Sequence, residues 1–256
     1  MNFKQHNSTP INANELVAHR GYHRGKYPEN TILSLNKAID HGALFIELDV
    51  QFSKDKLPII YHDTNLTRVS GQDSSVFDLN RDTLIAFAAF EPERLGEQFV
   101  DEKIAPLEAL VDVLLKNPPV IAFVEIKDES INHCGRELML QEVKRILEPV
   151  AEQTVIMSFD VQLSIMAREA DWPLVGVVLQ CWEDLESEET QQAAPDFIYV
   201  DHAIIPDDYD LYTSDALSEA TLVAYEVSDR ALGYKLLARG VDMLETYEIE
   251  MLMAAD

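Results

Sequence analysis

Leu44-Phe45-Ile46-Glu47-Leu48-Asp49-Val50 is followed, after Ser53-Lys54-Asp55-Lys56, by Leu57-Pro58-Ile59-Ile60-Tyr61 and then His62-Asp63. Two apolar runs this close cannot be parallel neighbours in a sheet, because a parallel crossover takes a dozen or more residues. They form an antiparallel hairpin instead. If Asp55-Lys56 is a two-residue turn, His62 falls opposite Asp49, with the two Cβ atoms about 5 Å apart on one face. The turn lacks the Gly favoured in tight primed turns, and a slip of one residue would aim His62 at the other face.

Working outward, short apolar runs recur at 16–18, 120–126, 154–158, 174–179, 197–200, 222–227 and 241–246. Between most of them lie amphipathic stretches at helical spacing: 31–41, 107–116, 135–150, 161–170, 185–193 and 229–239. Single helices between strands indicate parallel βα units. With the hairpin return set aside, eight parallel strands remain, the count of a (β/α)8 TIM barrel at a length typical of that fold. The irregular stretch 64–105 is long for a loop and reads as a small insertion or lid. The expectation is one barrel domain over 1–256.

The 256 residues carry 20 Lys+Arg against 46 Asp+Glu, a formal charge of −26. That balance argues against a nucleic-acid partner, whose phosphates bind clustered Lys and Arg, and against an anionic membrane surface. The two cysteines, Cys134 and Cys181, are too few for a disulfide framework. Residues 1–10 are polar without a signal-like apolar stretch, and no apolar run reaches the roughly 20 residues of a membrane span. A cytoplasmic protein without stable membrane association is expected.

Barrel enzymes work at the C-terminal ends of their strands. Here those ends carry His19-Arg20-Gly21, Glu47 with Asp49, His62-Asp63, and Glu125 followed by Lys127. Glu47 and Asp49, two apart on a strand, point to one face, and Glu125 with Lys127 repeats the pattern. Three converging carboxylates cannot all stay ionised without compensation, and a hard divalent cation (magnesium, calcium or manganese) suits an all-oxygen set. Two histidines beside it supply acid–base chemistry near neutral pH. Arg20 and Lys127 add positive charge suited to a phosphate. Together they point to cleavage of a phosphoryl ester. Taken singly, each residue has a plainer role: Arg20 and Lys127 as counter-ions, Asn30 or Thr31 as a helix cap, and His6, His41 and His133 as satisfied or surface histidines. His23 and His202 are outside candidates, and Trp182 is expected near the rim.

Residues 16–21 (Leu-Val-Ala-His-Arg-Gly), 28–31 (Pro-Glu-Asn-Thr), 47–50 (Glu-Leu-Asp-Val), His62-Asp63 with Leu66-Thr67-Arg68, and 124–127 (Val-Glu-Ile-Lys) resemble glycerophosphodiester phosphodiesterases. The resemblance is close over 16–80, returns at 106–127 and is weaker beyond. It implies a barrel whose insertion covers the site, with metal ligands at Glu47, Asp49 and Glu125 and catalytic histidines at His19 and His62. Arg20 and Lys127 would hold the phosphate. The implied reaction converts a glycerophosphodiester to glycerol 3-phosphate and an alcohol, with one divalent cation, Mg2+ or Ca2+. Tyr225-Glu226 stands where the family has Trp-Thr, and Thr246-Tyr247 where it has Thr-Asp. Glu226 adds negative charge at the rim, favouring a cationic head group. Two alternatives remain: a phosphodiesterase for lysophospholipids, suggested by the apolar hexamer 85–90, and a non-catalytic barrel that binds a phosphate ligand.

Overall fold

The computed structural model describes residues 10–23 and 26–254; His6, the first nine residues and the Arg24-Gly25 pair lie outside it. Ten strands form one sheet: β1 Leu16–Ala18, β2 Phe45–Phe52, β3 Pro58–Ile60, β4 Ala105–Pro106, β5 Ile121–Ile126, β6 Thr154–Met157, β7 Leu174–Val178, β8 Phe197–Asp201, β9 Thr221–Tyr225 and β10 Met243–Thr246. The order is β1-β10-β9-β8-β7-β6-β5-β2, and β1 also pairs with β2, which closes an eight-stranded parallel barrel. β3 and β4 hang antiparallel from the side of β2. The chain is a TIM barrel with a hairpin appendage, as its strand count implies.

Alternation along the strands sorts the side chains into two cores. Inside the barrel, Val17, Phe123, Val155, Met157, Val178, Tyr199, Val223 and Met243 form a closed plug. Outside, the alternate residues, such as Ile46, Leu48, Val50, Ala122, Val124 and Ile126, pack with Leu35, Leu110, Leu114, Val143 and Leu163 from the surrounding helices. The helices at Ile32–Asp40, Glu108–Lys116, Arg136–Leu147, Val161–Glu169, Glu188–Ala193 and Arg230–Arg239 fall where the apolar spacing places them. Thr31 caps the first, accepting the Ser34 N–H. Trp182, which follows the C-terminal end of β7, is buried in this outer core against Tyr209. No helix among the described residues is long and apolar enough to cross a membrane.

The hairpin register differs from the two-residue turn by one. Val50 pairs with Ile60 and Gln51 with Ile59, so Asp49 faces Tyr61, whose N–H donates to the Asp49 carbonyl at 2.9 Å. The turn is the reason. Ser53 and Leu57 close it, with Lys56 in the left-handed region at φ 62. That is a three-residue loop ending in a left-handed residue, the next commonest solution when no Gly is supplied for a two-residue turn. The slip does not turn His62 away, because β3 has already ended at Ile60 and the chain bends at His62.

The segment between β3 and β4 covers its own small core of Ile59, Tyr61, Leu66, Val69, Val76, Leu84, Ala89 and Ile104. Within the hexamer 85–90, Ala89 is buried and Ile85 and Phe87 pack onto this cluster. β4 went unforeseen: it is two residues long, too short for an alternation to register.

Candidate active site

β1 delivers His19 and Arg20 into the mouth of the barrel through a backbone that only glycine completes. Gly21 lies at φ 77, and a Cβ there would meet Ser34 backbone carbon at 2.6 Å and Leu35 nitrogen at 2.7 Å. Arg20 itself takes φ 51, a conformation unusual for a side-chain-bearing residue and concentrated at functional sites. This turns its N–H onto Glu47 Oε2 at 2.8 Å. The guanidinium then pairs with Asp49 through Nε at 3.0 Å and with Glu29 through Nη1 at 3.0 Å.

Glu47, Asp49 and Glu125 meet at the top of the apolar plug. Asp49 is level with Glu125 in the parallel register of β2 and β5. Their oxygens lie within 4.8 Å of one another. Burial and the charges of Asp49, Glu245 and Glu125 push the Glu47 carboxyl well above its ordinary range. Burial also raises Glu125, helped by Asp49 and opposed by Lys127. At Asp49 burial pushes upward too, but Arg20 and Lys127 outweigh it and hold the carboxyl below the usual range. Lys127 Nζ reaches Glu125 at 2.7 Å and Asp49 at 3.5 Å. Glu47 Oε1 is buried with no hydrogen-bond partner. An all-carboxylate set with an orphaned oxygen fits a hard divalent cation.

Both histidines lie beside this centre. His62 Nδ1 sits 2.6 Å from Asp63 Oδ1, and its charge acts on both Asp49 and Glu125. His19 is buried, with Nε2 4.0 Å from Glu47 Oε2 and Nδ1 3.6 Å from Glu226 Oε1. Burial, then Arg20, lower its pKa well below the ordinary value. His23 Nδ1 donates to the His19 carbonyl at 2.9 Å. It lines a cavity of about 420 Å3 with Glu29, Arg68, Glu91, Arg94 and Tyr247. His133 is satisfied by the Ser53 carbonyl at 3.0 Å. His202 lies just beyond β8.

All seven residues singled out in the sequence (His19, Arg20, Glu47, Asp49, His62, Glu125 and Lys127) therefore gather in one mouth. Three more belong there. Asn30, at φ 52, clamps Asp49 twice: its Nδ2 donates to Oδ2 at 2.7 Å and its Oδ1 accepts the Asp49 N–H at 3.1 Å. Glu29 is buried and bridges Arg20 to Arg68, which donates to both its oxygens at 2.8 and 2.7 Å. Both lie beside the Thr31 cap, and a capping role hid them. Glu245 is the third, one strand from His19. Its signal was a carboxylate inside an apolar run, the same one that marks Glu47.

The family model described as Glycerophosphoryl diester phosphodiesterase family matches residues 19–249. A protein of Bacillus subtilis named only as uncharacterized is 33% identical over 147 residues, 57% of this chain and 58% of that one. A glycerophosphodiester phosphodiesterase of Caldanaerobacter subterraneus is 30% identical over 65% of this chain and 67% of its own length. The matched stretch thus spans a little over half of the first relative and two-thirds of the second. Among solved structures, a phosphodiesterase of Oleispira antarctica in complex with the product sn-glycerol-3-phosphate superposes with a TM-score of 0.79 at 22% identity. That likeness covers 93% of this chain and 94% of the other. The match across nearly all of the barrel, joined to a mouth built from the same motifs, places the chain in the glycerophosphodiester phosphodiesterase family.

Proposed function

We propose that this protein hydrolyses glycerophosphodiesters to glycerol 3-phosphate and an alcohol, using one divalent cation, Mg2+ or Ca2+, and a pair of histidines. One observation carries this: two histidines and two cationic side chains surround a buried carboxylate triad that has an orphaned oxygen. Glu47, Asp49 and Glu125 would hold the cation, whose chemistry is to polarise the phosphate and lower the pKa of a hydroxyl beside it.

Arg20 and Lys127 provide fixed positive charge for a phosphate that the acidic chain would otherwise repel. They stand against carboxylates, so they also act as counter-ions, and the two roles coexist. Asp63 holds the His62 Nδ1 proton and leaves Nε2 for proton transfer. One histidine takes the proton of the neighbouring glycerol hydroxyl, whose oxygen attacks phosphorus. The other gives a proton to the alcohol oxygen as its P–O bond breaks. Water then opens the cyclic phosphate, with the proton movements reversed. Acid–base help of this kind is worth roughly 10²–10⁴-fold.

Within the hexamer 85–90, the engagement of Ile85, Phe87 and Ala89 in the insertion's own apolar cluster favours a water-soluble substrate over a lysophospholipid. Glu226, less than half exposed beside His19, favours a cationic alcohol such as choline or ethanolamine. The test is alcohol release from glycerophosphocholine with Mg2+ or Ca2+, then with chelator, for wild type, His62→Ala and Glu125→Gln. Release abolished by chelator and reduced at least 100-fold in both variants is expected. Unchanged release in either variant would contradict the assignment, and no release by wild type would favour the binding-barrel alternative.

A further inference from the structure

Glu245 is a buried carboxylate for which the proposed chemistry has no task. It points inward from β10: β1 pairs Val17 with it, and Val17 and Met243 both belong to the interior plug. Only 4% of its surface is exposed. The two cations of the mouth serve other groups, Arg20 pairing with Glu29 and Asp49, and Lys127 with Glu125 and Asp49. A carboxyl in such a place ionises only with a cation beside it. Its oxygen lies within 4.8 Å of a Glu47 oxygen and a ring nitrogen of His19.

A second observation points to a ligand at the same place. The Tyr199 hydroxyl, on the inner face of β8, is 1% exposed and has no hydrogen-bond partner. The carboxylates whose charges act on it are Glu245, Glu47 and Glu125. Glu47 Oε1 is likewise buried and unpartnered among the described residues. Asp49 and Glu125 are thus paired with Arg or Lys side chains, while among the described residues Glu47, whose Oε2 accepts the Arg20 N–H, and Glu245 have no such pair.

We propose that Glu245 is a fourth carboxylate ligand of the divalent cation and that it makes the centre select calcium over magnesium. This rests on the cation reading of the Glu47, Asp49 and Glu125 triad and extends it. His19 keeps its proton-transfer role. Calcium accepts six to eight oxygens in flexible geometry, whereas magnesium demands a tight octahedron and keeps several waters. A fourth carboxylate therefore adds more for calcium than for magnesium.

The experiment is calorimetric titration of chelator-treated protein with Ca2+ and with Mg2+, alongside its melting temperature in each state. Wild type should bind Ca2+ at least tenfold more tightly than Mg2+. Glu245→Gln, which keeps shape and removes charge, should lose at least tenfold in Ca2+ affinity and much less in Mg2+ affinity. Its metal-free melting temperature should match that of wild type, which certifies folding. Glu226→Gln, removing a more exposed carboxylate nearby, should change neither affinity by more than twofold. Wild-type Ca2+ affinity in Glu245→Gln, with Glu125→Gln weakened, would overturn the role of Glu245 alone. Absence of cation binding to wild type would overturn the triad reading as well.

Discussion

Asn30 shows how a side chain outside the reacting groups governs them. Its two hydrogen bonds hold Asp49 from both the carboxylate and the main chain. Supporting groups of this sort typically govern 10–100-fold in metal affinity or activity. Asn30→Ala should therefore weaken Mg2+ or Ca2+ binding by about 10–100-fold, measured by calorimetry; unchanged affinity would remove Asn30 from the site. The residues that sequence alone exposes are those out of keeping with their surroundings, charged or imidazole groups closing apolar runs. Glu29 and Asn30 escape that test because Pro-Glu-Asn-Thr before a helix has a sufficient local explanation in capping. Glu29 is nonetheless the best anchored carboxylate of the mouth. Burial raises its pKa, but the Arg68 hydrogen bonds and the Arg20 and Arg68 charges prevail and bring it to about 2. A depressed carboxyl contributes stability that is present above its unfolded pKa, near 4.5, and lost as pH falls through its folded value. Half-exposed Arg68 limits this to on the order of 2 kcal/mol. Arg68→Gln should raise the Glu29 pKa, so acid unfolding, followed by circular dichroism, should begin at higher pH than in wild type.

At the scale of elements, the turn between β2 and β3 sets the hairpin. Lys56 holds φ 62 without the advantage of glycine. Lys56→Gly should stabilise the protein by about 0.5–1 kcal/mol in urea unfolding without altering activity. A loss of stability there would mean that the Lys56 side chain matters more than its backbone. Gly21 behaves oppositely. Gly21→Ala places a methyl group against the backbone of Ser34 and Leu35, atoms that cannot rotate away. The cost should be about 3 kcal/mol, with His19 and Arg20 displaced and activity falling further than stability. Periodicity made the strands and most helices legible, since each follows from one buried face. Register was not legible to the residue, because turn geometry depends on which residue accepts the left-handed conformation. β4 was invisible for a different reason, as two residues carry no period.

Across the whole molecule, the barrel brings groups from distant parts of the sequence to one rim: His19 from β1, Glu47 and Asp49 from β2, Glu125 from β5 and Glu245 from β10. The apolar plug beneath them makes their charges costly and therefore in need of cations: Arg20 and Lys127 supply two, and the proposed divalent ion would supply the rest. The insertion is tied to this rim by polar contacts, half-exposed Arg68 on Glu29 and the buried Glu29 N–H on Glu91 Oε1 at 2.8 Å. The eightfold count and the clustering of motifs at strand ends were readable without coordinates, because topology converts strand order into position around a ring. Charge balance was not, because it depends on which cation reaches which carboxylate. The most direct measurement of the central claim is phosphorus NMR of glycerophosphocholine turned over by the purified protein with calcium or magnesium. Cleavage at the alcohol side predicts the resonance of glycerol 3-phosphate, released together with choline. Phosphocholine as the phosphorus-containing product, or a substrate resonance that never diminishes, would contradict it.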